Sequence, residues 1–471
     1  MHISDATTWE GPDPGFWVPN GYVIVVANAR GYYDSEGEAG IYADHDPQDY
    51  ADLIEWAGVQ PWSSGAVGLN GVSYLAVSQW MCASETKPQH LKAIVPWEGV
   101  SDLLRDLMEH GGIPETRFLE GYYSGSLARG AGDGIAAQGH AMLQRAAQVP
   151  FPLEKIDVPT LVCGSWSDHG LHTRGAFEGF LRISSPQKWL YTHGGNKWER
   201  YYSPDALEWQ KAFLDHFLKG EDNGFEQRRR VRLEVRRTKE EFEVRSEDNW
   251  PVNGVEFSPR YLDAERGSLL SQAPVEPQSR LDDAEAKATV DFDLVFDEPI
   301  EVTGPMVLKL WISALDADDL DLFVAVRKID RDGQVVHFQA KDGYRDGEVA
   351  FGWLRTSQRH LDPERSWSWH PYLSRDRTEK VQPGAVVVVE IEILASSTIF
   401  EAGDTLRLMV SGHDILEFGR FGHDERVNKG RYEIHAGGDY PSHLLIPFCR
   451  HSGGSVIASR IEVMPNDMQL G

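Results

Sequence analysis

The stretch Val67-Gly68-Leu69-Asn70-Gly71-Val72-Ser73-Tyr74-Leu75-Ala76 constrains this chain more than any other, because an apolar strand pattern ends in Gly-x-Ser and runs directly into a helical pattern. A reversal that sharp tolerates only small neighbours and lifts the Ser73 hydroxyl to the carboxyl edge of a sheet, the setting of a nucleophile elbow. It also leaves the backbone N–H of Tyr74 at a helix N-terminus, where an unpaired amide stabilises an oxyanion. The general pattern places a second glycine where Leu75 stands, and a helix-capping serine fits the same residues, so the motif needs partners elsewhere in the chain.

From Tyr22 to about Gly220, short apolar runs alternate with helical patterns, as in a parallel sheet with crossover helices. The strand candidates are Tyr22–Asn28, Gly65–Gly71, Leu91–Pro96, Pro159–Gly164 and Lys188–Thr192, each apolar on both faces as strands covered by helices on both sides must be. Asp49–Val59 suits a helix packed on that sheet. Ser203-Pro204 followed by Trp209, Phe213, Phe217 and then Gly220 reads as a capped amphipathic helix closing the domain. Between Trp97 and Ile156 the alternation is interrupted by helical stretches, Val100–Met108 and Gly134–Gln148, which are expected to form a lid or a structural insertion.

Beyond the polar linker Glu221–Arg230 the hydrophobic period changes to two, in Met306–Ile312, Asp321–Asp330, Val386–Leu394 and Leu406–Ser411, with a hairpin signal at Asp332-Gly333. The expected architecture is a catalytic domain over 1–222, with the insertion at about 98–156, followed by an all-β sandwich over 223–471.

With 46 basic against 73 acidic residues, the net charge of −27 repels nucleic-acid phosphates and anionic lipid head groups, so neither is an expected partner. Cys82, Cys163 and Cys449 are far apart and form no CxxC pair, which argues against a structural zinc or a disulfide framework. No signal-like start and no membrane-length apolar run is seen, so a cytoplasmic location without cofactor or metal is expected.

A serine hydroxyl needs a base, and the base a carboxylate to orient it; in a sheet of this kind they follow the serine in the order acid, then histidine. Asp168 lies in the loop Ser165-Trp166-Ser167-Asp168-His169-Gly170 after one strand, and His193 ends the next in Tyr191-Thr192-His193. His193 is the expected base. It competes with His169 and His172, which share the Asp168 loop and have to fold back on their own neighbour. Trp166 and Trp97 are candidate substrate-binding residues. Asp316, Asp318, Asp319 and Asp321 read as a solvated turn rather than a calcium loop, and His413-Asp414 and His423-Asp424 as loop residues.

Gly71-Val72-Ser73-Tyr74-Leu75-Ala76 resembles the G-x-S-Y-x-G signature of the X-prolyl dipeptidyl-peptidase and cocaine-esterase-like hydrolases, the CocE/NonD group, with Ala76 in place of the last glycine. Gln60-Pro61-Trp62-Ser63, Pro96-Trp97-Glu98-Gly99 and Gly164-Ser165-Trp166-Ser167-Asp168 are similar to that family, as are Gly304-Pro305, Gly352-Trp353-Leu354-Arg355 and Ser442-His443-Leu444-Leu445-Ile446-Pro447 further on. The resemblance implies an α/β-hydrolase catalytic domain followed by a jelly-roll sandwich, and hydrolysis of an ester or amide through an acyl-enzyme.

The chain departs from the pattern at Asn28 and Tyr33 in the arginine loop, and at Tyr191-Thr192-His193, where the family has G-P-W-x-H. Nothing here matches the family tyrosine that supplies the second oxyanion donor, nor the strands that carry it. The expectations are therefore an esterase or small-amide hydrolase, an X-prolyl dipeptidyl-peptidase using Glu98, Glu109 or Glu120 to hold a substrate amine, or an N-terminally truncated, weakly active or inactive homologue acting as a binding protein. In each case the chain is a possible homo-oligomer.

Overall fold

The structure, a computed structural model, describes residues 3–122, 125, 128–131, 133–148, 150–415, 419–424, 427–428, 430–449 and 457–460. Its first half is organised on five parallel strands that neighbour one another in chain order: β1 (Val67–Val72), β2 (Leu91–Trp97), β3 (Thr160–Ser165), β4 (Lys188–His193) and β5 (Val231–Arg236). An antiparallel strand, β6 (Glu241–Glu247), follows on β5, so this sheet continues past residue 222.

Both faces of the sheet are covered, which explains why its strands read as continuous apolar runs. On one face Leu69, Ile94, Val162 and Leu190 pack with α1 (Asp46–Gly58), α2 (Tyr74–Glu85) and α3 (Thr173–Arg182) through Ile54, Trp80, Phe177 and Phe180. On the other, Val95, Leu161, Cys163 and Tyr191 pack with α4 (Pro204–Lys219) through Trp209, Phe213 and Leu214. Helix α4 starts where the sequence indicates: Ser203 Oγ accepts the Ala206 N–H at 3.3 Å, and Gly220, at φ 71°, ends it in the left-handed conformation.

Tyr22–Asn28, expected as a strand, joins no ladder. An apolar run becomes a strand only when a neighbour takes its N–H and C=O groups, and here Val23, Val25 and Val26 stay exposed. Tyr22 instead turns its ring to α4, donating its hydroxyl to Asp215 at 2.7 Å beneath the Lys219 ammonium.

The insertion is built from a π-helical turn at Leu104–Met108, a short antiparallel pair, Glu109–His110 with Ile113–Pro114, and helices at Phe118–Gly121, Ala128–Ala131 and Asp133–Ala146. It is bonded to the C-terminal half through Thr116 N to Gly422 O (2.9 Å) and Arg355 N to Gly111 O (2.9 Å).

The C-terminal half is β-rich and almost wholly antiparallel. Its ladders run from Ile300–Ala314 to Val387–Phe400, Ala350–Arg355, Asp321–Ile329, Thr405–Ser411, Val290–Val295, Ser268–Leu270, Val255–Asp263, His443–Cys449 and back to Ile300–Ala314. The ring closes through two single-residue joints, Gly352 with Ile393 and Ser268 with Asp293, so the sheet is barrel-like rather than two open layers. Leu308, Leu310, Val324, Ile391 and Leu408 fill its interior. The Asp332-Gly333 turn is present, with the Gly333 N–H on Asp330 O at 2.9 Å.

The aspartate run is not solvated throughout as expected. Asp316 pairs with Arg431 near the surface, but Asp319 and Asp321 are buried, the first accepting from Thr356 and Ser357 and the second held by Arg355. All three cysteines are buried and unpaired. Among the described residues no helix is long and apolar enough to cross a membrane.

Candidate active site

Ser73 sits on the reversal between β1 and α2 with φ 58° and ψ −116°, a conformation that costs a non-glycine residue of order 1–3 kcal/mol and is kept only where the surroundings impose it. They do: the Ser73 N–H is held by the carbonyls of Trp97 (3.0 Å) and Glu98 (3.2 Å) at the end of β2. Gly71 is required on the inside of the turn, since a Cβ there would lie 2.5 Å from that of Leu75. With the chain so held, the Tyr74 N–H is the first amide of α2 and has no acceptor within the helix.

The group that meets the Ser73 hydroxyl is His172, whose Nε2 lies 3.1 Å from Oγ. His172 Nδ1 is 2.5 Å from Asp168 Oδ2. Both residues belong to the loop between β3 and α3, where the Asp168 carbonyl accepts from the N–H groups of Leu171 (3.1 Å), His172 (3.1 Å) and Thr173 (3.3 Å). That tight return passes through Gly170 at φ 75°, left-handed and open to glycine at little cost. The C-terminal half presses on this turn: a Cβ on Gly170 would meet Lys341 Nζ at 3.1 Å and the Trp353 indole at 3.2 Å. Lys341 is itself buried, and burial brings its pKa down to about 8 against the pull of Asp168, Glu115 and Asp414.

His193, the base expected from the sequence, is placed otherwise. Its Nε2 donates to Glu98 Oε1 at 2.9 Å, with both side chains fully buried, and Glu98 Oε2 accepts from Ser165 Oγ at 2.6 Å. His193 Nδ1 reaches neither Ser73 nor Asp168; it is buried without a partner. The physical reason is that His193 is the last residue of β4 and its ring stacks beside Trp97, while the bend that carries a side chain back to Asp168 lies in the preceding loop. His169, the other competitor, donates Nε2 to Ala395 O at 3.0 Å, and burial lowers its pKa to about 4.

Trp97 and Trp166, expected at the substrate, are both wholly buried. Trp97 packs among Tyr191, His193 and Tyr201, and Trp166 among Phe177 and Trp250 with its indole N–H on Glu234 O.

Burial works to raise the pKa of Asp168, but the charges of Lys197 and His172 and their hydrogen bonds outweigh it and hold the carboxyl below the usual carboxylate range. An ionised Asp168 fixes the His172 proton on Nδ1, which leaves Nε2 with the lone pair facing the serine. The arrangement can take a proton from Ser73 Oγ and hold the resulting imidazolium.

Glu98, Asp168 and His172, and separately Glu98, Cys163 and His193, bring one ligand-type atom each within 4.8 Å of one another. In the first group His172 and Asp168 share a hydrogen bond and in the second His193 and Glu98 do, and burial pushes the Cys163 thiol well above its ordinary pKa, away from the thiolate a metal would take, so the donor sets fit acid–base pairs better than a metal.

A second chain of buried polar groups was not legible in the sequence. His423 lies between Asp414 Oδ1 (2.9 Å) and His110 Nδ1 (2.7 Å), and His110 Nε2 contacts Asp106 O at 3.2 Å, tying the insertion to the C-terminal half. Residues 313 apart in sequence meet here, and no local pattern announces that.

The model of the X-Pro dipeptidyl-peptidase (S15 family) matches residues 2–150, and that of the X-Pro dipeptidyl-peptidase C-terminal non-catalytic domain matches residues 223–445. The crystal structure of a CocE/NonD family hydrolase from Staphylococcus aureus is similar at a TM-score of 0.90 and 40% identity, over 96% of this chain and 84% of that one. The cocaine esterase of Rhodococcus sp. (strain MB1 Bresler) is 24% identical over 542 residues, 92% of this chain and 89% of the relative. An α-amino acid ester hydrolase shares the fold, with a TM-score of 0.69 at 15% identity over 92% of this chain and 87% of that one.

Proposed function

The chain belongs to the CocE/NonD family of hydrolases, and from that premise we propose that it cleaves a small-molecule ester or small amide through an acyl-enzyme formed on Ser73. The observation that carries this reading is the continuous contact from Ser73 Oγ to His172 Nε2 and from His172 Nδ1 to Asp168 Oδ2. The doubly covered parallel sheet fits an α/β-hydrolase core, and the closed ring of ladders fits a jelly-roll domain behind it.

In the first half-reaction Ser73 Oγ attacks the acyl carbon while its proton passes to His172 Nε2. The carbonyl oxygen gains the negative charge beside the Tyr74 N–H, and the His172 imidazolium is balanced by Asp168. Collapse of the tetrahedral intermediate returns the proton to the leaving alcohol or amine. Water then gives up a proton to His172, attacks the acyl-serine and releases the acid.

Esters are preferred to X-prolyl peptides because the carboxylates that could have held a substrate amine have other partners or positions. Glu98 is buried on His193 and Ser165, and Glu109 is paired with Arg375. Glu120 projects from the exposed side of the helix Phe118–Gly121.

Labelling with a fluorophosphonate tests the reading. Wild-type protein should react, and Ser73→Ala and His172→Ala should not, while a folded His193→Gln variant should. A His172→Ala variant that labels and turns over normally would sink the assignment. Comparing simple acyl esters with X-Pro amides as substrates separates esterase from peptidase.

A further inference from the structure

One buried cation touches the acid–base pair and has no part in the chemistry above. Lys197 follows β4 in a short helix, Lys197–Tyr201, that Asn196 caps by accepting the Trp198 N–H at 3.0 Å. Its Nζ lies 3.3 Å from Asp168 Oδ2, the oxygen that His172 also uses, and 3.4 Å from His172 Nδ1. The side chain is only 9% exposed, so its charge is poorly screened by solvent.

The surrounding groups define what that charge does. Asp168 and His172 face it from the loop before α3, and Glu98 acts on it from the end of β2. Glu10 acts on it from the N-terminal segment: its backbone carbonyl accepts the Val72 N–H at 3.0 Å, and its carboxylate accepts the Trp198 indole N–H at 2.9 Å. Lys341, from the C-terminal half, is the second cation within electrostatic reach. Burial works against the Lys197 ammonium, yet Asp168, Glu10 and Glu98 outweigh it and leave its pKa above the ordinary value, so it stays charged through neutral pH.

Two tautomers of His172 are compatible with these contacts. With the proton on Nδ1, the ring donates to Asp168 and offers its Nε2 lone pair to Ser73. With the proton on Nε2, Nδ1 would accept from Lys197, and the serine would face a donor that cannot take its proton. The contact to Asp168 is the shorter of the two, and Lys197 shares its oxygen, so the ammonium fixes the carboxylate rather than the ring.

We propose that Lys197 is a positioning residue that pins the Asp168 carboxylate against His172 and places a fixed positive charge beside the ring that disfavours the resting imidazolium. The proposal rests on the Ser73–His172–Asp168 reading. Removing the charge should favour the imidazolium, because a repulsion beside the ring is lost. The acid limb of activity should therefore move to higher pH.

The test uses the full chain and records, from pH 4.5 to 9, the rate of fluorophosphonate labelling and kcat/KM for a neutral activated acetate ester. Lys197→Met should shift the acid limb of both profiles upward by about half a pH unit or more, while Lys197→Arg, which keeps the charge, should leave it within about 0.2 unit of wild type. Lys197→Gln keeps a donor for Asp168 Oδ2 without the charge. It should shift as Lys197→Met does, and it reads the same quantity if the Met variant does not fold. A lower plateau with an unmoved limb in the Met or Gln variant would overturn the role of Lys197 and leave the triad standing. Labelling that survives Ser73→Ala would instead overturn the underlying reading.

Discussion

His172 Nδ1 meets the carboxylate of Asp168, four residues before it in the chain, at 2.5 Å, so the proposed acid and base of this site belong to a single loop. The loop joins β3 to α3, and its return at Gly170 is wedged between Lys341 and Trp353 of the C-terminal half. The two halves of the chain therefore share responsibility for the geometry of the base. The β-rich half is more than an attached module.

If Ser73 and His172 act as a unit, their losses will not add. Ser73→Ala, His172→Ala and the double variant should each lose on the order of 10⁶ in kcat, and Asp168→Asn should lose less, by analogy with other triads. Steady-state kinetics on an acyl ester, with protein free of wild-type contamination, checks this. A double variant much slower than either single one would mean that the two residues act separately.

His193 is expected to matter for stability rather than turnover. His193→Ala leaves Glu98 buried with only Ser165 as a side-chain partner, and breaking a buried pair in this way costs about 3–5 kcal/mol. His193→Gln retains a donor for Glu98, so it should recover much of that loss and keep kcat per labelled site within about tenfold of wild type. Denaturant unfolding together with active-site titration separates the two quantities.

Gly170 should resist even alanine. At φ 75° an L-residue pays about 1–2 kcal/mol, and the new methyl group meets Lys341 and Trp353. Gly170→Ala should lower the unfolding midpoint and also reduce kcat with KM little changed, because the displaced loop carries both Asp168 and His172. A variant that loses stability but keeps full kcat would show that the return tolerates movement.

Acid should weaken the fold before the carboxylates titrate. Burial holds the pKa of His169 at about 4, and burial, together with the charge of His423, holds that of His110 well below the ordinary histidine range. The unfolded chain takes up these protons below about pH 6.5 while the folded protein does not, so stability is full above that pH and falls as pH drops toward 4, by a few kcal/mol in all. Asp168 and Asp414, whose folded pKa values are depressed, add their losses only below about pH 4. Replacing His169 with Gln should flatten the upper part of the decline, measured as unfolding free energy against pH.

What the sequence by itself determined is what rests on local physics. The Gly71-Val72-Ser73 reversal, four parallel strands, the capped helix from Ser203 to Gly220 and the change of hydrophobic period beyond residue 230 are all legible because each is specified by neighbours a few residues away. Asp168 could be picked out for the same reason: it follows a strand and therefore comes to the carboxyl edge of the sheet. Tertiary structure decided the rest. Chain order and strand-end position favour His193 over His172, because folding back on a near neighbour is costly for most residues. Gly170 removes that cost, and packing from residues 341 and 353 holds the return in place. Likewise Trp97, Trp166 and Tyr22–Asn28 carry apolar patterns that do not say whether they face a substrate, a core or a neighbouring strand. Only the full set of contacts answers that, because burial and hydrogen-bond pairing depend on residues far away in the sequence.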